Sequence, residues 1–321
     1  YSNNNERYAK IYVGLPTLVP SLRKILVNGV KIDGCGGGFP VGLETMESNV
    51  PFLLRFLIDC EISGCTWVEV PRFKLAKKQS RCQIEIDCVY SDLIAHEAVG
   101  EWQKLAPLRV LAFDIECQGR KGHFPEAEKD PVIQISCVVH EHGSQDVQVV
   151  MTLGGCLSIN GAHVMTNKTE EELLQNFANF LRQVDPDIVT GYNSQNFDVP
   201  YLLNRAKTIW KRNKTALAAF SDWGRAVGVP AKMRDTTFAS AAYGKRENVE
   251  TTVAGRVMFD LLPYMFRNHK LSSYSLNSVC AEFLNQQKED VHHSIISELQ
   301  NGTDEDRRRL AVYCLKDSQL V

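Results

Sequence analysis

The sequence predicts an α/β domain over residues 105–321, preceded by a partial α+β unit over residues 1–104. Three observations lead there. From Leu105 onward, short apolar runs rich in β-branched residues alternate with amphipathic stretches of helical period, as when strands and helices share one sheet. One run, Val110 to Ile115 within LRVLAFDIEC, is apolar on both faces and reads as a central strand. Ahead of residue 105 no such alternation is visible, and 321 residues suffice for two cores.

In the first unit, Ala9 to Leu15 reads as a strand, Pro20 to Val27 as a short helix stopped by Asn28-Gly29, and Pro51 to Asp59 as a second helix. Trp67 to Val70 and Cys82 to Tyr90 read as strands joined by a basic connector, Lys74 to Arg81. The Gly34 to Gly38 cluster lacks the spacing of a phosphate-binding loop and reads as a flexible loop. In the second unit the central strand leads into a Gly/Pro loop, Gln118 to Pro131, then into strands Val132 to Val139 and Val147 to Leu153. The turn between those strands carries His140 and His142, both read as solvated. Thr169 and Glu172 form a T-x-x-E box ahead of Leu173, Leu174, Phe177 and Phe180, which predicts a helix that Asp185-Pro186 ends. Ile188 to Thr190 follows as a short strand and Val199 to Trp210 as a helix. Phe238 to Val257 reads as a protruding hairpin around Tyr243-Gly244, and Arg256 to Leu262 as the last strand. Ser272 to Phe283 and Thr303 to Leu320 read as helices, the second opened by Thr303 over three acids.

A 44% hydrophobic and 23% charged composition is that of a soluble globular protein. No apolar run reaches the roughly 18 to 20 residues of a membrane span, and no signal-peptide pattern opens the chain, so no membrane partner is expected. The chain begins without Met and reads as a fragment. Of ten cysteines, Cys88, Cys117, Cys137 and Cys314 lie inside apolar runs, which suits buried reduced thiols in an intracellular protein. Cys60-x4-Cys65 and Cys82-x5-Cys88 lack the C-x2-C spacing of a zinc knuckle. A net charge of −2 leaves nucleic-acid binding to local basic groups and metal ions.

Three stretches carry the chemistry. With a side-chain period of two, Asp114 and Glu116 point to the same side of the central strand. Burying two unpaired carboxylates costs several kcal/mol each unless a cation compensates them, so a bound metal is one reading. An ordinary ion pair plus a solvated strand end is the other. The second stretch is Gly191-Tyr192-Asn193-Ser194-Gln195-Asn196-Phe197-Asp198, at a strand end and helix start, where sites form in α/β sheets. There Asp198 serves either a site or the helix cap, and Asn193 either a site or an Asx turn. The third is Tyr313-Cys314-Leu315-Lys316-Asp317, whose Tyr313 and Asp317 share a helix face, as a surface hydrogen bond would also require.

Taken in order, D-x-E, N-x3-F-D and Y-x3-D resemble the three motifs of the DEDDy group of RNase H-like 3'-5' exonucleases. The surrounding residues, LAFDIECQGRKGHFPEAEKDPVIQIS, IVTGYNSQNFDVPYLLNRA, GRVMFDLL, YSLNSV, QKEDVHHSII and YCLKD, resemble the proofreading domain of family B DNA polymerases. GCTWVEVP around Trp67 resembles the N-terminal domain that precedes it. The resemblance therefore runs over nearly the whole chain.

It implies an RNase H-like mixed sheet flanked by helices, and two-metal hydrolysis of single-stranded or mispaired DNA 3' ends. Four acids without His or Cys suit two Mg2+ or Mn2+ ions rather than zinc. By the resemblance Asp114 is shared by both ions, Glu116 and Asp317 complete the nucleophile-side metal, and Asp198 holds the other. Tyr313 would orient the attacking water with Glu116, since a phenol of pKa about 10 stays protonated at neutral pH. Phe124 would either wedge between terminal bases or pack in the core. Asn193 would contact the terminal nucleotide, and Arg120, Lys121, Lys245 and Arg246 phosphates. Expected partners are the primer-strand 3' end and, for the whole protein, accessory subunits and a sliding clamp; the expected location is the nucleus. No D-x2-S-L-Y-P-S or Y-G-D-T-D is found, so this chain is expected to shorten DNA and not extend it. The alternatives are a non-catalytic polymerase module and a free-standing DEDD exoribonuclease.

Overall fold

A computed structural model describes residues 8–32, 37–39, 42–240, 244–286 and 295–321, without the side chains of 30–41 and 238–247. The chain divides into two compact units, Tyr1–Ala76 with Ile86–Lys104, and Lys77–Glu85 with Leu105–Val321. The first holds α1 (Val19–Asn28), the strand pair β1 (Val30–Ile32) and β2 (Gly37–Phe39), then α2 (Phe52–Asp59). Short strands follow: β3 (Val68–Glu69) pairs with β6 (Ile94–Ala95), and β4 (Lys74–Leu75) with β5 (Ile86–Asp87). Leu26 and Cys60 are its only buried apolar side chains among the described residues. Three readings of this unit need correction. Ala9 to Leu15 enters no strand pair, and Cys82 to Tyr90 shrinks to β5. Cys88 is exposed. Gly34 to Gly36 lie outside the described residues.

The second unit is built on a six-stranded mixed sheet. Its strands are β7 (Arg109–Cys117), β8 (Val132–Glu141), β9 (Val147–Leu153), β10 (His163–Asn167), β11 (Ile188–Gly191) and β14 (Val257–Asp260), in the order β10-β9-β8-β7-β11-β14. β7, β8 and β9 form an antiparallel meander, while β11 runs parallel to both β7 and β14, and β10 to β9. The connections from β10 to β11 and from β11 to β14 carry α3 (Glu170–Val184) and α4 (Asp198–Arg212) respectively, as parallel crossovers usually do. α3 starts where predicted: the Thr169 hydroxyl accepts from Glu172 N–H, and Asp185 ends the helix in a left-handed conformation, φ 52°. Leu173, Leu174, Phe177, Ala178 and Leu181 then form its buried stripe.

Strand parity sorts the two faces. Leu111, Phe113, Ile115 and Cys117 of β7 point into the main core with α3 and α4, beside Trp223 and Phe220. Ala112, with Val138 and Val150, packs instead on Ala311 and Leu315 of α8 (Asp304–Gln319). Asp114 and Glu116 share the parity of Ala112, so they face α8. A full capping box between Thr303 and Asp306 starts that helix.

Between α4 and β14, β12 (Lys232–Ser240) and β13 (Gly244–Thr252) form a hairpin that starts and ends earlier in the chain than Phe238 to Val257, with Tyr243 outside the described residues. Helices α5 (Leu261–Asn268), α6 (Leu276–Leu284) and α7 (Ile296–Asn301) complete the unit. Arg256 to Leu262 is thus a correction: the strand stops at Asp260, whose carboxylate caps α5. The "connector" residue Arg81 belongs to this unit, bonded to Asp222 and the Gly224 carbonyl. No helix among the described residues is long and apolar enough to cross a membrane.

Candidate active site

The register of β7 against β8 decides what surrounds the acids. Asp114 lies opposite Ser136 and Glu116 opposite Gln134, so all four side chains share one face. Ser136 and Gln134 use it to hold α8. Ser136 Oγ donates to the Cys314 carbonyl at 2.8 Å and shares a 2.6 Å hydrogen bond with Ser318, while Gln134 Nε2 donates to the Arg307 carbonyl at 3.0 Å. Helix α8 is thereby pinned with Tyr313 half-buried and Asp317 only 8% exposed.

Ligand-type atoms of Asp114, Glu116 and Cys314 lie within 4.8 Å of one another. The Cys314 thiol donates weakly to Asp114 Oδ2 at 3.8 Å and to Ser136 Oγ at 3.3 Å. Burial, then the negative charges of Asp114 and Glu116, hold that thiol well above the ordinary thiol range, so it lines the site as a neutral S–H. The charged donors left are carboxylate oxygens. That set fits a hard divalent ion such as Mg2+ or Mn2+.

Asp198 reaches the same strand from the other side of the loop. It is the first residue of α4, yet the N-cap is Phe197, which makes no side-chain cap bond; Asp198 Oδ1 instead accepts the Ile115 N–H at 3.2 Å. The carboxylate is therefore docked on the peptide between the two acids. Burial pushes the Asp198 carboxyl up to about 7, opposed by backbone N–H groups of Asp198 and Ile115 and reinforced by the charges of Asp260 and Asp317. A buried acid with like-charged neighbours gains most from a bound cation.

The approach to Asp198 is tightly built. A Cβ on Gly191 would stand 2.7 Å from Ser194 Cβ and 3.0 Å from the Phe113 carbonyl, so only glycine lets β11 close against β7 here. Asn193 sits at φ 60°, a conformation asparagine tolerates. Its N–H donates to Asp260 Oδ1 at 2.9 Å and the Gln195 N–H to Asp260 Oδ2 at 3.0 Å.

Phe124 is 74% exposed, which removes the core-packing reading; its ring meets the edge of Phe197, 5.3 Å between centroids, next to Asp198. Its loop is braced by α7, where Ser297 Oγ donates to the Gly119 carbonyl. Arg120 is tied within that loop to Asp130 and Glu126, whereas Lys121 is exposed. Lys245 and Arg246 fall on β13 with side chains outside the described residues. Sequence reasoning missed the parts played by Ser136, Gln134 and Asp260. The first two were legible only as cross-strand partners of the acids, once the meander's register was known.

The profile described as DNA polymerase family B, exonuclease domain, matches residues 43–279. The chain is similar to the DNA polymerase delta catalytic subunit of Arabidopsis thaliana, 52% identical over 98% of this chain and 28% of that protein. It is also similar to those of Candida albicans, 51% identical over 100% of this chain and 30% of that one, and Bos taurus, 45% over 98% and 28%. The chain thus spans less than a third of these relatives' lengths. Among solved structures, the family B DNA polymerase of the archaeon Pyrobaculum calidifontis matches in fold, with a TM-score of 0.63 at 23% identity over 95% of this chain and 33% of that one.

Proposed function

Because this chain belongs to the exonuclease-domain family of the family B DNA polymerases, we propose that its second unit hydrolyses the terminal phosphodiester of single-stranded or mispaired DNA 3' ends. It would do so as the proofreading part of a polymerase delta catalytic subunit. The observation that carries this is the placement of four acids from three distant segments: Asp114 and Glu116 on one strand face, Asp317 on the helix covering it, and Asp198 docked on the Ile115 peptide.

Two divalent ions, Mg2+ or Mn2+, supply an activated water and neutralise charge on the leaving oxygen when bound. Asp114 would serve both, Glu116 and Asp317 the ion on the nucleophile side, and Asp198 the other. Tyr313 and Glu116 orient the attacking water, with the phenol as a positioning group rather than a base. Phe124 stacks on or separates the terminal bases, Asn193 contacts the terminal nucleotide, and Lys121, Lys245 and Arg246 contact phosphates; Arg120 chiefly braces the Phe124 loop. Glu116, Asp198 and Asp317 are almost fully buried, so a 3' nucleotide must leave its partner strand to reach them. Unstacking costs less at a mismatch, which gives selectivity for errors without reading sequence. Accessory subunits, a sliding clamp and a nuclear location belong to the same proposal for the whole polymerase.

The test is Asp114→Ala combined with Glu116→Ala. The double variant loses Mg2+-dependent nucleotide release from single-stranded DNA 3' ends while its circular dichroism stays that of the parent chain; retained release rejects the proposal. Faster degradation of a matched RNA oligonucleotide than of DNA would select the exoribonuclease alternative.

A further inference from the structure

Asp260 is a carboxylate that the four-acid scheme leaves unused. It is 8% exposed at the end of β14, and burial holds its carboxyl above the usual range. It faces no cation at hydrogen-bonding distance among the described residues; three backbone N–H groups surround it. Leu262 donates to Oδ1 at 3.0 Å, which caps α5. Asn193 and Gln195 donate to Oδ1 and Oδ2 at 2.9 and 3.0 Å, which holds the loop that ends in Asp198.

Elsewhere in that loop Tyr192 Oη donates to the Tyr274 carbonyl at 2.5 Å and the Ser194 carbonyl accepts the Val199 N–H at 2.9 Å. Asn193 is in a left-handed conformation, and the Asn196 and Phe197 N–H groups fold back on its carbonyl at 3.1 Å. Two side chains of the same loop reach the hairpin: Gln195 Oε1 accepts the Thr251 N–H at 2.9 Å, and Asn196 Oδ1 the Val249 N–H at 3.0 Å. The loop therefore joins β13 to the N-terminus of α4, and the Asp260 carboxylate is the common anchor of its backbone.

We propose that Asp260 is a positioning residue for the hydrolysis: by binding the Asn193 and Gln195 N–H groups it sets where Asn193 and Asp198 stand relative to Asp114 and Glu116. The inference rests on the exonuclease reading above. A helix cap alone would explain the Leu262 bond and predicts only a stability role. Positioning predicts a loss of turnover that stability does not account for.

Asp260→Ser separates the two, because serine caps a helix well but is too short to span to Asn193 and Gln195. Asp260→Asn keeps one acceptor oxygen and should fall between serine and wild type. In the full chain, Asp260→Ser should speed hydrogen exchange of the Asn193 and Gln195 amides by about tenfold or more, with β8 amides unchanged. Its turnover on a saturating single-stranded DNA oligonucleotide should drop by about 100-fold, the scale of an ångström-sized misplacement, and the Mn2+ concentration for half-maximal rate should rise. Unchanged exchange at Asn193 and Gln195 overturns the proposal. So does a rate loss equal to the loss of folded protein with unaltered Mn2+ dependence, or global unfolding of Asp260→Ser. The exchange measurement needs no activity, so it decides Asp260's role even if the Asp114→Ala and Glu116→Ala variant shows the nuclease reading to be wrong.

Discussion

Asp198 sits where charge is least welcome. Its carboxyl, pushed up to about 7 by burial, lies above the unfolded value of about 4. A carboxyl whose folded pKa is raised binds its proton more tightly in the native state, so its stabilising contribution is full below about pH 4 and is lost as pH rises through 7. Thermal unfolding in chelator should therefore show a midpoint that falls between pH 5 and pH 8, and Asp198→Asn should flatten that fall. Mn2+ should raise the parent midpoint more at pH 8 than at pH 5, since below pH 7 the ion competes with the proton; equal shifts at both pH values would exclude Asp198 as a ligand. At this scale the sequence was informative about the acids and silent about their neighbours. Asp114 and Glu116 declare themselves by interrupting an apolar strand. Asp260 sits at the end of VMFD, where it reads as a strand terminus, and only the folded chain brings Asn193 and Gln195 to it.

Helix α8 is the element on which assembly of the site depends, because it brings Tyr313 and Asp317 to acids roughly two hundred residues earlier in the chain. Its attachment is polar as well as apolar. The Ser136 hydroxyl, fully buried, bonds the Cys314 carbonyl and the Ser318 hydroxyl directly behind Asp114. Ser136→Ala removes two buried hydrogen bonds, each worth about 1 kcal/mol, and frees the middle of the helix to shift. Thermal unfolding should show that modest loss, while single-turnover hydrolysis should slow by about tenfold, more than the folded fraction explains. A rate unchanged within twofold would mean that the apolar contacts of Ala311 and Leu315 suffice. Elements with strong local signals were legible in sequence: α3 by its Thr169 cap, α8 by Thr303 over acids, β7 to β9 by apolar runs. Those with weak signals were not. β10 is an edge strand with only Asn167 buried, α7 has six residues, and the proline in α5 disguised a short helix as a strand end.

For the molecule as a whole, the division into units does not follow one cut in the sequence. The onset of strand and helix alternation at Leu105 suggested a boundary there, yet Lys77–Glu85 belongs to the unit that carries the acids. What holds that segment is a set of contacts between residues more than 140 positions apart, which no local pattern discloses. Arg81 makes a two-pronged pair with Asp222 at 2.9 and 2.6 Å and bonds the Gly224 carbonyl, and its N–H donates to the Arg225 carbonyl. Its side chain is 27% exposed and that of Asp222 13%, so water screens the pair only partly. The guanidinium lowers the Asp222 carboxyl below its usual range. The Arg72 pair with Asp92 in the other unit makes a natural control, since the Arg72 side chain is 77% exposed and exposed pairs contribute at most about 1 kcal/mol. Arg81→Ala should cost about 1 to 3 kcal/mol, the range for hydrogen bonds to charged groups, and lower the unfolding midpoint of the second unit by several degrees. Arg72→Ala should leave that midpoint within about one degree. Hydrogen exchange across β7 and α8 reports on the second unit alone. If Arg81→Ala leaves exchange there unaltered, residues 77–85 rest on the unit without supporting it, and the boundary belongs at residue 105 after all.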